Sequence, residues 1–254
     1  AISFYTTVWS LFNIGELTQT VEHAKEMNAL YDPEKHGFLA YMFGLDLGVV
    51  NRCFGAWALW FLGYPDQAQE EYDLAMWHAT KSGHPHTIAF ALTGACEMDW
   101  FVGDKKAAKP HLEELTKISN EKGFIYWQAH AVFYQGEKTI LDGKIEEGIA
   151  QMQQGLAMIK ATGMQTCFTR LLARMAEACL KTGQIEEGLK AIHEAGEFRE
   201  KYDERYMEPE HYRLKGELLL KKGESEDQVM KLFEQAVQVS KQQKSKSLEL
   251  RAKM

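Results

Sequence analysis

The stretch KTGQIEEG, residues 181–188, decides the reading of this chain, because it is one of five short polar breaks set at a fixed interval. The others are LGYPDQA (62–68), VGDKKAA (102–108), DGKIEEG (142–148) and KKGESED (221–227); their glycines, Gly63, Gly103, Gly143, Gly183 and Gly223, stand forty residues apart. A second row, Gly83, Gly123 and Gly163, lies halfway between, with Asp203 in its fourth slot. A constant period of this size with two breaks per unit is the signature of stacked helical hairpins. Each hairpin buries its apolar face against its neighbours, so the chain reads as a single α-solenoid domain over 1–254.

Laid on the forty-residue grid, the columns acquire physical meaning. Seven residues before each glycine come Ala56, Cys96, Gly136, Ala176 and Gly216, all small. Five after come Ala68, Ala108, Gly148, Gly188 and Gln228, small in four cases, and nine after come the large Tyr72, Leu112, Met152, Ile192 and Leu232. Small side chains let paired helices approach, and large ones fill the space between units. This spacing resembles the tetratricopeptide repeat, whose unit is usually about 34 residues, so the six extra imply longer helices. HEAT and armadillo repeats also reach forty but fit the small/large pattern less well. The expected fold is all-α: a tetratricopeptide-like right-handed superhelix of about six antiparallel hairpins.

The expected hairpins cover 1–30, 46–82, 85–122, 124–162, 164–200 and 208–243, with a further helix beginning in 245–254. The interval from Gly15 to Gly63 exceeds the period by eight residues, which predicts a longer loop or a short extra helix over 31–45. Asp46 is a candidate N-cap. Pro85 and Pro209 fall at first-turn positions, whereas Pro110 predicts a late start or a bend in a helix placed at 105–121.

Composition narrows the function. A net charge of -7 argues against general affinity for nucleic acid. Cys53, Cys96, Cys167 and Cys179 show no CxxC spacing and sit in apolar helical patterns, as free thiols of a reducing cytosol do. No apolar run is long enough to cross a bilayer and no signal peptide is evident, so the expected location is cytoplasmic, with no membrane partner. The chain opens inside a helical pattern without a methionine, which reads as a piece of a longer polypeptide.

The wording of several stretches also resembles a known family. ALYDPEKHG (29–37), GLDLGVVNRCFGAWALWFLGYPDQA (44–68), GHPHTIAFAL (83–92), GKIEEGIAQMQQGL (143–156), GQIEEGLKAI (183–192), EPEHYRLKGELLL (208–220) and FEQAVQVSKQQKSKSLELRA (233–252) are similar, in order, to the C-terminal tetratricopeptide-like region of large bacterial signalling ATPases, often fused to adenylate/guanylate cyclase domains. The resemblance implies a non-catalytic region following an ATPase module, with those upstream domains of the same polypeptide as partners. Where the family has DPGV this chain has Asp46-Leu47-Gly48-Val49, losing the proline but keeping the aspartate. The family's last helix typically continues beyond the Leu-Glu-Leu-Arg-Ala element.

No catalytic pattern stands out. There is no P-loop, no dinucleotide fingerprint and no nucleophile elbow. His78, His84 and His86 lack a fourth ligand at zinc spacing, and His84, at a helix start, reads as a cap or a solvated side chain. No catalytic residue, metal or cofactor is expected. Binding is the better expectation. The column six before each glycine reads Trp57, Glu97, Glu137, Glu177 and Glu217, an acidic ladder on the first helices of the hairpins, the face that lines the groove of such arrays. Neighbouring columns add Trp60, Trp100, His130, Phe133, Arg170 and Arg213. Aromatic faces beside carboxylates favour ammonium and guanidinium groups, so the expected ligand is a cationic or amphipathic peptide, a protein segment or a small inducer. The competing reading is that these glutamates pair with Arg170, Arg174, Arg213 or Lys215 of the next unit. A structural, self-associating scaffold (a homo-oligomer) is the alternative function. The basic tail from Lys241 to Lys253 reads as a solvated terminal face.

Overall fold

The computed structural model describes residues 2–103, 108–164 and 166–254. The described residues form fifteen helices and no strand, so the chain is all-α as the periodicity requires. The helices are α1 (Ile2–Asn13), α2 (Leu17–Leu30), α3 (Pro33–His36), α4 (Leu39–Phe43), α5 (Leu47–Leu62), α6 (Pro65–Ser82), α7 (Pro85–Val102), α8 (Ala108–Lys122), α9 (Ile125–Leu141), α10 (Ile145–Thr162), α11 (Phe168–Thr182), α12 (Ile185–Tyr202), α13 (Glu208–Lys222), α14 (Glu226–Gln242) and α15 (Lys246–Lys253). Consecutive helices pack in pairs, α1 with α2, α5 with α6, and so on to α13 with α14. Apart from α7 and α8, the paired helices are joined by two or three residues, which leaves an antiparallel hairpin as the available geometry.

The row of glycines marks the helix C-termini, as the C-cap itself or, at Gly143, the residue after the Asp142 cap. Gly63 closes α5 at φ 91°, with its N–H donated to Leu59 and Trp60 carbonyls, and the same left-handed turn recurs at each break of both rows. Asp203 holds the fourth slot of the second row at φ 54°, an αL position that aspartate tolerates. A left-handed residue satisfies the carbonyls left open at a helix end and reverses the chain. The small-residue columns explain how tightly the hairpins close. A Cβ on Gly136 would lie 2.6 Å from the Gly148 carbonyl oxygen, and one on Gly148 would lie 2.6 Å from the Gly136 oxygen. Ala56, Cys96 and Ala176 are buried, as are Tyr72, Leu112, Met152 and Ile192 from the large column. Leu232, in the last hairpin, is only half-buried. The side chain of Ala108 and the predicted helix start at 105 lie outside the described residues; Pro110 occupies the first turn of α8.

The 31–45 connection holds two short helices. Asp32 caps α3 through the Glu34 N–H, and Tyr31 donates to Asp46, which in turn caps α5 through the Gly48 and Val49 N–H groups. The helix expected from 164 begins later, at Phe168, because Cys167 adopts αL backbone (φ 56°). His84 does cap α7, its ring accepting from the Thr87 N–H.

Contacts also run between hairpins far apart in the chain. The Arg205 and Tyr206 N–H groups both donate to the Asn13 carbonyl at the end of α1, and the Tyr206 and Phe12 rings lie 4.4 Å apart. Helix α15 packs on α5, where Ser247 donates to the Trp60 carbonyl and Ser245 to that of Phe61. The hairpin carrying α13 therefore meets the first hairpin, and the next helix meets the second. No described helix is long and apolar enough to cross a membrane.

Candidate functional site

The ladder column is contributed by equivalent turns of α5, α7, α9, α11 and α13, and the fold brings its members together in the interior of the array. Glu97 is fully buried, and one of its oxygens lies 3.0 Å from Arg170 Nε and 2.8 Å from Arg174 Nη1. Tyr134 donates its hydroxyl to the other oxygen. Arg174 also grips Glu137 through two nitrogens. Burial alone raises the Glu97 pKa, but the two guanidiniums outweigh it and hold the carboxylate below its ordinary range. The guanidinium planes lie against aromatic faces: Arg170 is 5.0 Å from the Trp57 ring, and Arg174 is 4.7 Å from Tyr134 and 5.2 Å from Trp100. His130 is buried beside this cluster, 3.3 Å from the Tyr134 hydroxyl, and burial pushes its pKa down to about 3. Phe133 is fully buried.

A second knot of charge lies on α11, α13 and α15. Glu210 is fully buried and takes Arg213 through two nitrogens and Arg251 Nη1 at 3.0 Å. Arg213 also bonds Glu217, and Glu177 accepts from Trp100 Nε1 at 3.1 Å and from Lys181. The Arg251 guanidinium sits 5.3 Å from the Trp100 ring and 3.7 Å from Glu177. Trp60 is buried, stacked on Phe101 at 4.5 Å.

The structure thus unites most of the expected residues but not along an open groove. Trp57, Trp60, Glu97, His130, Phe133, Arg170, Glu177 and Arg213 are buried, and only Trp100, Glu137 and Glu217 are half-buried. The pairing reading, with partners on the next unit, describes Glu137 and Arg174; Glu97 is held by arginines two units on, and Glu217 by Arg213 of its own helix. The basic tail is likewise not a uniformly solvated face: Lys246 and Lys253 pair outward with Glu249, while Arg251 reaches inward. Arg174, named by the pairing reading, and Glu210, from a neighbouring groove column, both belong to these clusters, whereas Arg251 lies outside the expected columns. The four-residue spacing of Arg170 and Arg174 on one helix face was the available signal for Arg174.

The array is open at its end. A groove of about 1030 Å³ lies between α13, α14 and α15, floored by Met230, Phe233 and Val237 and edged by Glu217, Lys221 and Arg251. Among the described residues no cluster of His, Cys, Asp and Glu has the arrangement of a metal site. The four cysteines are free and buried. Comparison with models of known families and with curated proteins finds no match for this chain.

Proposed function

We propose that this chain is a tetratricopeptide-like right-handed superhelix acting as a non-catalytic interaction module of a larger cytoplasmic signalling ATPase or cyclase, and that its inner face receives a cationic, amphipathic helical segment. The observation that supports this reading is α15. It sits on the inner helices as such a segment would, with two serine hydroxyls on the last carbonyls of α5, Leu248 buried, and Arg251 set between Glu177, Glu210 and the Trp100 ring. Two carboxylates and an indole face make a guanidinium site. A partner helix that displaces α15 would free its contact with the second hairpin, and its differential affinity for the open array would bias the upstream catalytic module.

The test uses the chain's own segment as probe. A fluorescent peptide SKSLELRAKM is titrated into the full chain carrying Leu248→Asp, which unseats α15. Saturable binding is expected, weakened about tenfold or more by Glu177→Gln with Glu210→Gln, since a hydrogen bond to a charged group is worth ~1.5–3 kcal/mol. Absence of binding, or binding indifferent to those carboxylates, would refute the reading.

Self-association as a structural scaffold is a second reading, favoured by one patch. Phe38, Tyr41, Met42 and Phe43, in and beside α4, are all largely exposed. Contiguous exposed apolar surface marks an interface. Sedimentation of the chain with and without Tyr41→Ser and Met42→Ser checks it; a concentration-independent monomer refutes it.

A further inference from the structure

The joint between α12 and α13 differs from the joint one repeat earlier. On α10 and α11, Leu156, Ile159, Leu171, Leu172 and Met175 are all buried members of the apolar core. Forty residues on, the same positions hold Gly196, Arg199, His211, Tyr212 and Lys215. The grid position of Gln153 becomes His193. In the joint before both, the positions of these five polar residues hold Glu113, Ser119, Ala131, Val132 and Gln135, none of them cationic. The substitution of large apolar residues by a glycine, an arginine, a histidine, a tyrosine and a lysine leaves a cavity of about 280 Å³, with Leu189 and Ile192 as its apolar wall and Glu197 3.6 Å from His193 at its rim. A Cβ on Gly196 would meet nothing within 4 Å, so the space is there because leucine is not.

His211 makes this cavity more than a packing fault. Its ring is buried and lines the cavity; Nε2 lies 3.1 Å from the Thr169 carbonyl, and Nδ1 has no partner. A nitrogen facing a carbonyl must carry the proton, so in the neutral ring Nδ1 is an unused acceptor. Burial lowers the His211 pKa to about 4, which keeps the ring neutral at neutral pH. Arg199, itself paired with Glu208 and Glu200, stands at one side of the cavity, while Lys215 reaches solvent at the mouth.

We propose that this cavity is a binding site for a small oxyanion metabolite that carries a hydroxyl, its phosphate or carboxylate group held by Lys215, Arg199 and His193 and its hydroxyl donated to His211 Nδ1. An anion in a basic cleft between apolar walls gains charge-assisted hydrogen bonds that it lacks on an open surface. Occupation would stiffen the α12–α13 joint, directly beside the Glu210–Arg213–Arg251 knot that seats α15. None of the ligand-holding residues belongs to that seat, so the site stands or falls apart from the inner-face proposal.

The full chain is titrated with inorganic phosphate and with citrate at constant ionic strength, by calorimetry and by ¹⁵N histidine NMR. Two variants run in parallel: Lys215→Ala, which removes an exposed cation, and Gly196→Leu, which restores the side chain of the preceding joint. Saturable binding that shifts the His211 ring nitrogens is expected from at least one probe, about tenfold weaker in Lys215→Ala and lost in Gly196→Leu. The thermal midpoint of unliganded Gly196→Leu should stay at or above that of the unsubstituted chain. Phosphate alone would assign a phosphate ester and citrate alone a hydroxycarboxylate. Saturable response to neither probe, or undiminished binding by Gly196→Leu, overturns the assignment.

Discussion

Glu97→Gln isolates the energetics of the buried network. The carboxylate has no exposure and serves two guanidiniums and a phenol at once. Its amide replacement keeps the shape, but one oxygen becomes an NH₂ that faces donors. Arg174 retains Glu137, so its charge stays compensated. Among the described ion pairs Arg170 has Glu97 alone, so the substitution strands one buried cation. Removing one partner of a buried pair costs ~3–5 kcal/mol, most of it the penalty of the charge left behind. With a urea m-value of about 3 kcal/mol/M, suited to a chain of this size, the midpoint should fall by roughly 1–1.7 M. Tryptophan fluorescence is the apt readout because Trp57 and Trp100 lie 5.0 and 5.2 Å from the two guanidiniums. Far-UV circular dichroism run alongside tests whether the array unfolds as one unit. Adding Arg170→Met to Glu97→Gln removes the stranded cation and should restore most of the loss. A midpoint shift below about 0.3 M, worth under 1 kcal/mol at that m-value, would refute the reasoning. So would a double variant no more stable than the single one.

Acid should destabilise the fold before its carboxylates titrate. His211 and His130 have folded pKa values of about 4 and about 3, below the ordinary 6.5, so unfolding takes up protons as pH falls. Their contribution is complete above pH 6.5 and shrinks toward pH 4 by roughly 1.4 kcal/mol per pH unit for each ring. His211→Gln should flatten the thermal midpoint against pH over that interval, and an unchanged slope would count against it. Gly136→Ala drives a methyl into the Gly148 carbonyl and should cost at least 1–3 kcal/mol, as overpacking does, measured by urea unfolding. Asp46→Ala removes the α5 cap and the acceptor of Tyr31, for a loss of about 2 kcal/mol, whereas Asp46→Asn should recover most of the thermal midpoint.

The helices were legible because their ends are chemically explicit. A residue that must take left-handed backbone is a glycine or an aspartate, and Gly183 or Asp203 marks the spot without any knowledge of the rest of the chain. Boundaries slipped where that rule was broken: Cys167 adopts the same backbone without announcing it, and α11 starts late. The interior was legible only as a column. Glu97, Glu137, Glu177 and Glu217 occupy one register yet meet different surroundings, because Glu97 and Glu137 find arginines one or two units away while Glu217 takes Arg213 from its own helix. The contact of Phe12 with Tyr206 and of Ser247 with Trp60 carries no periodic trace, since a repeat grid encodes neighbours and not the curvature that brings distant units together. The basic cavity was readable in principle, as the replacement of Leu156 and Met175 by Gly196 and Lys215 along the grid.

The meeting of the sixth hairpin with the first changes what kind of mechanical object this chain is. An open solenoid is a spring: each hairpin can peel from an end at a cost set by one interface. Here the bonds from Arg205 and Tyr206 to Asn13, and the seat of α15 on α5, weld the last units of the array to the first two hairpins. Pulled from its ends, such a chain should not lengthen gradually but hold until the weld parts, then extend hairpin by hairpin. The weld joins residues nearly two hundred positions apart, and contacts so distant in sequence are slow to form because a long loop must close first. A domain fused to either terminus would feel the array as a rigid strut while the weld holds and as a compliant tether once it opens.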